Sequence, residues 1–154
     1  MDYMTLKWLH ILSSALLFGT GIGTAFYLLR ASLGRDPVVV AAVAREVVIA
    51  DWLFTATTVI LQPLTGFWLA HSAGFPLESR WLVWSYGLYG VAIACWLPVL
   101  RIQMALRDEA QASVRDRLGL SPRYWRLFRL WFALGIPAFI AFLAVFYLMV
   151  AKPA

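Results

Sequence analysis

The stretch LFRLWFALGIPAFIAFLAVFYLMV, residues 127–150, decides the fold, because Arg129 is its single charged residue. A helix needs roughly 20 mainly apolar residues to cross about 30 Å of hydrocarbon. This stretch is long enough, and it predicts a membrane-spanning helix.

Three further apolar stretches precede it, at about residues 8–29, 47–71 and 81–100. The whole chain is 62% hydrophobic and 14% charged, so water is not its main solvent. We therefore predict an all-α fold, a transmembrane four-helix bundle, in a single domain of residues 1–154. The expected location is the inner (cytoplasmic) membrane of a bacterium, crossed in four passes, with the lipid bilayer as the main partner.

The 13 Lys and Arg residues divide unequally between the two sides of this bundle. Ten flank the first and third connectors, namely Arg30, Arg35, Arg45, Arg101, Arg107, Arg115, Arg117, Arg123, Arg126 and Arg129. The other side keeps Lys7, Arg80 and Lys152. The positive-inside rule places both connectors in the cytoplasm, which predicts an N-out/C-out topology. Membrane topology thus explains the net charge of +5, and no nucleic-acid partner is expected.

Two histidines are candidates for a cofactor site. His10 lies about 4.5 Å of helical rise deeper than Lys7, on the same face of the first helix. His71 ends the second helix, which runs in the opposite direction, so both imidazoles are expected at one depth. Two neutral imidazoles can take the axial positions of a haem iron. Lys7 and Arg80, at the outer edge, are expected to pair with the propionates.

The predicted cofactor-binding residues are therefore His10, His71, Lys7 and Arg80, with the two histidines as metal ligands and haem b as the cofactor. Zinc or copper alone would need further ligands of similar type. Glycines at 19, 21 and 23 either let a ring approach closely or serve ordinary helix packing.

A polar stripe follows the second helix at spacings of four, three, four and three residues, which place it on one face: Asp51, Thr55, Thr58, Gln62 and Thr65. It predicts either interhelical hydrogen bonds or a path for protons or a polar solute. Asp51 could instead pair with a connector arginine. An ideal helix places His71 roughly opposite this face. Pro63 lacks an N–H group and frees a backbone carbonyl that a buried site could use.

Two short motifs carry a resemblance to a known family. Residues 7–11, KWLHI, resemble the K-x-x-H-I opening of HemJ-type protoporphyrinogen oxidases, and residues 26–30, FYLLR, resemble their F-Y-L-P-R, with Leu29 in place of proline. Including ADWLF at 50–54 and LQPLTG at 61–66, the chain resembles an uncharacterised family of predicted bacterial membrane proteins related to HemJ and to CopD-type copper-resistance proteins. The resemblance implies haem b at His10.

The leading functional prediction is a haem b-binding protein with a redox role, either electron transfer or HemJ-like porphyrinogen oxidation. Activity as a haem-dependent oxidoreductase is left open. One alternative is a transporter or accessory factor for copper or a small solute, and another is a structural subunit of a membrane complex. Haem or a porphyrin is the expected partner, and a second copy of the chain is an open alternative.

Overall fold

The computed structural model describes residues 2–153, and all regular secondary structure in that range is helical. The helices are α1 (Tyr3–Gly34), α2 (Pro37–Ala50), α3 (Ala56–Ser72), α4 (Arg80–Arg115) and α5 (Pro122–Ala151). A π-helical turn, Asp51–Thr55, joins α2 to α3, so that residues 37–72 form one continuous helical rod. The described chain is thus four antiparallel rods, which supports the predicted all-α bundle.

Three helices, α1, α4 and α5, are each long and apolar enough to cross a membrane. The most apolar 18-residue window of α5 has a mean hydropathy of 2.4. Helix α3 alone has 17 residues, but the π-helical turn and α2 lengthen it beyond the roughly 20 residues that a span needs. Helix α4 extends beyond the predicted span of about residues 81–100, because it continues to Arg115 and leaves only residues 116–121 outside a helix.

Local capping explains where several helices begin. The Asp2 carboxylate accepts a hydrogen bond from the Thr5 N–H at 2.7 Å, and this bond lowers the pKa of Asp2. Asp36 caps α2 in the same way, with Pro37 in the first turn, where the missing N–H has no cost. Ser121 caps α5 through the Tyr124 N–H. Arg35 adopts a left-handed conformation, with φ of 59°, and separates α1 from α2.

The inner end, where α1 turns into α2 and α4 turns into α5, contains the larger hydrophobic core. Its buried residues are Leu28, Ala31, Val40, Ala44, Val47, Val99, Ile102, Leu106, Ala110, Tyr124, Phe128 and Trp131. The Ser32 and Tyr124 hydroxyls, both buried, lie 2.6 Å apart and join α1 to α5. The ten basic residues assigned to the cytoplasm flank this core.

The outer end has a smaller core of Ala70, Trp81 and Leu82, covered by Phe75, Leu148 and Met149. Between the two cores, α1 packs on α3 and α4 packs along α5, whereas the two pairs contact each other at fewer points. This looser packing between pairs leaves two cavities inside the bundle. The cavity nearer the outer end is lined by His10.

Candidate functional site

His10 points from α1 toward α3 and is half-buried. Its Nδ1 lies 2.8 Å from the Thr65 hydroxyl. That hydroxyl lies 2.7 Å from the Leu61 carbonyl oxygen, to which it donates its own hydrogen. Thr65 must therefore accept from His10, so Nδ1 carries the proton of the neutral ring and Nε2 carries the lone pair. The contact with Thr65 thus selects the tautomer that can bind a metal or accept a proton through Nε2.

Gln62 and Ser13 complete the hydrogen bonds around this imidazole. The Gln62 Nε2 atom lies 3.4 Å from His10 Nε2, a long contact, and the Gln62 Oε1 atom accepts a hydrogen bond from the Ser13 hydroxyl. Ser13 is buried on α1, one turn below His10. This network joins α1 to α3 through side chains of the polar stripe. It agrees with the prediction that the stripe forms interhelical hydrogen bonds.

Gly66 allows the imidazole to lie close to the α3 backbone. A Cβ atom added at Gly66 would lie 3.1 Å from His10 Cε1, closer than the two groups can comfortably pack. The glycines at 19, 21 and 23 play no such role, because a Cβ atom added at any of them meets nothing within 4 Å. A close approach of a ring was considered at the glycines of α1. The close approach in the structure is that of the His10 ring to Gly66 of α3.

The imidazole faces a cavity of about 310 Å³, here called the outer cavity. Helices α1, α3, α4 and α5 all contribute to its walls. The lining residues include Lys7, His10, Ile11 and Ser14 of α1; Gln62, Gly66, Leu69 and Ala70 of α3; Trp81, Leu82, Ser85, Tyr86 and Tyr89 of α4; Val145, Phe146 and Met149 of α5; and Lys152, which follows α5. The walls are mainly apolar and aromatic, and the two lysines are exposed. Such a cavity suits a flat apolar molecule that carries negative charge at one edge.

Tyr89 reaches the backbone carbonyl that Pro63 leaves free. Pro63 has no N–H to donate to the carbonyl four residues before it, which is that of Val59. The Tyr89 hydroxyl donates to this oxygen at 2.7 Å. The prediction that Pro63 frees a backbone carbonyl is thus confirmed, and the Tyr89 side chain of α4 satisfies this carbonyl.

The structure brings together only two of the four predicted cofactor residues. Lys7 and His10 both line the outer cavity, whereas His71 and Arg80 do not. His71 is exposed on the last turn of α3, nine residues and about 180° from Gln62, while the stripe faces the bundle. Arg80 is the first residue of α4 and is also exposed. Similar depth was therefore not sufficient to pair the two imidazoles around one iron.

The polar stripe faces the bundle interior over its full length. Asp51, Thr55 and Thr58 are buried, and Gln62 and Thr65 are half-buried. The suggested ion pair between Asp51 and a connector arginine is absent from the part of the chain that the structure describes. Asp51 Oδ1 instead accepts from the Thr55 hydroxyl at 2.9 Å.

Sequence reasoning missed Ser13, Tyr89 and Lys152. Ser13 lies on the first helix, where only Lys7, His10 and the glycines at 19, 21 and 23 were considered for the site. Lys152 was counted only for topology, yet its ammonium lies 4.5 Å from the centre of the Phe75 ring, at the edge of the outer cavity. The free carbonyl at Val59 was a usable signal for Tyr89, because a buried carbonyl needs a donor.

Comparisons with known proteins place the chain in a family without adding an activity. No curated protein and no solved structure gives a significant match. The relation to HemJ-type and CopD-type proteins therefore stays a prediction. One family model, described as a predicted integral membrane protein (DUF2269), matches residues 4–153, which is nearly the whole chain. The chain belongs to this family of predicted integral membrane proteins.

Proposed function

We propose that the outer cavity binds haem b or a closely related porphyrin, and that the protein has a redox role in the bacterial inner membrane. The observation that carries the proposal is the state of His10. Its Nδ1 lies 2.8 Å from the Thr65 hydroxyl, its Nε2 has only the long 3.4 Å contact with Gln62, and the imidazole lines a mainly apolar cavity. A haem ligand needs a fixed tautomer and a second nitrogen that can exchange a weak contact for the iron.

The residues that line the cavity fit the chemistry of haem with one protein ligand. His10 would hold the iron, and the long contact from Gln62 to Nε2 is weak enough to be given up. Trp81, Tyr86 and Phe146 offer an apolar surface to a macrocycle. Lys7 and Lys152 offer charge to its carboxylates, so that Lys152 takes the role predicted for Arg80.

Bound haem would supply one-electron chemistry at its iron. The chain itself would orient the imidazole through Thr65, keep the ring against α3 at Gly66 and exclude lipid with the aromatic walls. Because His71 lies outside the cavity, the lining residues contribute a single imidazole. This favours an oxidase role over electron transfer, because a haem held here would have one histidine from the lining residues and not two.

The absorption spectrum of the full chain, purified in detergent after expression with a haem supply, tests this proposal. We expect a Soret band for the wild type and for His71→Ala, and loss of the band for His10→Ala. Thr65→Val, which keeps the shape but removes the hydroxyl, should weaken haem retention. Circular dichroism establishes that each variant is folded. A folded wild type without a Soret band, or a His10→Ala variant that keeps it, would contradict the proposal.

A second candidate is a transporter or accessory factor for copper or a small polar solute. The observation that favours it is the polar stripe, which runs along the bundle interior from Asp51 at the inner cavity to Thr65 beside His10. Within residues 2–153 no group of three or more His, Cys, Asp and Glu residues is placed to hold a metal ion, so a polar solute is the better candidate. Uptake that is lost in Gln62→Ala and kept in His10→Ala would favour transport over haem binding.

A further inference from the structure

Asp51 is a carboxylate buried inside the bundle at the π-helical turn. Asp51 as a whole is 3% exposed. The Thr55 hydroxyl donates to Oδ1 at 2.9 Å, and the Gln103 side chain of α4 lies beside the carboxylate. π-Helical turns of this kind are frequent at functional sites. The role proposed for His10 makes no use of this group.

No basic side chain neutralises Asp51 among the residues that the structure describes. The ion pairs there are Arg107 with Asp108, Arg115 with Asp116, and Arg123 with Glu109, all near the third connector. Threonine and glutamine are neutral and cannot balance a negative charge. Ionisable groups inside a membrane are expensive unless they are paired, and they mark ion or substrate sites. A buried Asp51 is therefore either protonated or paired with a cation from outside the chain.

A cavity of about 440 Å³, here called the inner cavity, lies against Asp51, Thr55 and Gln103. Two of its lining side chains have polar atoms that are buried and lack a hydrogen-bond partner within residues 2–153, Gln103 Oε1 and Trp96 Nε1. Gln103 is 5% exposed. Buried polar atoms are rarely left unpaired, so the acceptor on Gln103 points to a missing donor. Beside Asp51, the free acceptor on Gln103 suits a donor such as an ammonium group.

The rest of the inner cavity is apolar and rich in aromatic rings: Phe18, Phe26, Trp96, Trp131, Phe139 and Phe142. Rings of this kind attract a cation through their faces and bury an aromatic or alkyl body. A hydrated alkali ion would gain little from such walls. The composition of the walls thus favours a cation with a large apolar part.

Access to the inner cavity is from the side. Gly21 and Ile22 of α1, and Phe132 and Ile136 of α5, line the cavity and are themselves exposed. Helices α1 and α5 therefore leave an opening between them that faces the lipid. A hydrophobic cation that partitions into the bilayer could enter by this route.

We propose that the inner cavity binds a hydrophobic organic cation, a protonated amine with an aromatic or alkyl body, with Asp51 as its counter-ion and Gln103 Oε1 as a second acceptor. The proposal is independent of haem, because the site shares no lining residue with the outer cavity. It gives the inner half of the bundle a ligand site of its own.

Binding of 2-(1-naphthyl)ethylamine to the full chain in nanodiscs, measured by equilibrium dialysis, tests the proposal. Its neutral counterpart, 2-(1-naphthyl)ethanol, has a similar shape without the charge. We expect saturable binding of the amine, and binding of the alcohol weaker by a factor on the order of 30 or more, because a buried charge pair is lost. Equal binding of the two probes would overturn the proposal, and this comparison needs only the wild type.

Variants locate the site. Asp51→Asn should reduce amine binding by a similar factor, and Gln103→Leu should reduce it less. Asp108→Asn, which removes an exposed carboxylate of α4, is the matched control and should bind as the wild type does. His10→Ala should also bind the amine normally, which separates this site from the proposed haem site. Unchanged binding in Asp51→Asn, or binding of Na⁺ or K⁺ without binding of the amine, would overturn the proposal.

Discussion

At the residue scale, the candidate site depends on which nitrogen of His10 is free. Thr65 can accept from Nδ1 because its own hydrogen is donated to the Leu61 carbonyl, and this leaves the lone pair on Nε2, whose contact with Gln62 is long. Hydrogen bonds of this kind orient histidines that bind metals. His71 lies outside the cavity, although the sequence predicted a similar depth for the two histidines. The partners of an imidazole thus say more about its role than its depth does.

Gly66→Ala tests the close contact between α3 and His10. The new methyl group would lie 3.1 Å from Cε1, and we expect the crowding to lower stability by roughly 1 kcal/mol. Gly90→Ala is the control, since its methyl group meets nothing within 4 Å and should raise stability by up to about 1 kcal/mol. Thermal unfolding in detergent measures both. A Gly66→Ala variant as stable as Gly90→Ala would contradict the contact.

At the scale of elements, helix irregularities create the polar features of this bundle. Pro63 removes an N–H from α3, and Tyr89 of α4 satisfies the Val59 carbonyl that results. The π-helical turn at 51–55 places a buried carboxylate at the junction of α2 and α3. Both irregularities lie on one rod, residues 37–72, which carries the polar stripe. This rod is therefore the element that most of the bundle's chemistry depends on.

A double-mutant cycle tests the link between Pro63 and Tyr89. Tyr89→Phe should destabilise the wild type by about 1 kcal/mol, because the Val59 carbonyl loses its donor. In a Pro63→Ala background the alanine N–H can bond that carbonyl, so the same substitution should have almost no effect. Tyr147→Phe, at an exposed position, is the control. Equal effects of Tyr89→Phe in both backgrounds, read from unfolding in detergent, would show that the two residues are not coupled.

The sequence predicted which face of a helix points into the bundle better than it predicted which residues that face contacts. The spacing from Asp51 to Thr65 correctly placed one polar face toward the interior, and the missing N–H of Pro63 correctly implied a free carbonyl. Periodicity within one helix carries no information about which neighbour that face meets. For that reason His10 was paired with His71 when its contacts are Thr65 and Gln62. The length of α4 was also underestimated, because its charged continuation resembles a connector.

At the scale of the whole molecule, packing is unequal along the bundle. The inner end is fixed by a core that includes Leu28, Leu106 and Tyr124, and by the bond from Ser32 to Tyr124. The inner cavity borders this core at Val99 and Trp131, and the outer cavity lies nearer the other end; both lie where the α1 and α3 pair meets the α4 and α5 pair. A closely packed inner core next to cavities large enough for a ligand is consistent with a binding protein. Since ten basic residues flank the inner end, we expect that end to lie in the cytoplasm.

Cysteine labelling tests this orientation. In a Cys95→Ser background, Glu78→Cys lies in the outer loop and Leu118→Cys in the third connector, and both positions are exposed. A membrane-impermeant maleimide added to intact spheroplasts should label only Glu78→Cys, and Leu118→Cys should react after permeabilisation. The reverse pattern would show that the termini lie in the cytoplasm.

The central claim, that His10 is the haem ligand of the outer cavity, is tested most directly by restoring the ligand from solution. His10→Gly removes the imidazole and leaves space for free imidazole beside Thr65. We predict that haem added to this variant gives no wild-type Soret spectrum, and that millimolar imidazole restores the spectrum, while His71→Gly needs no imidazole. A wild-type spectrum in His10→Gly alone, or loss of the spectrum in His71→Gly, would contradict the claim.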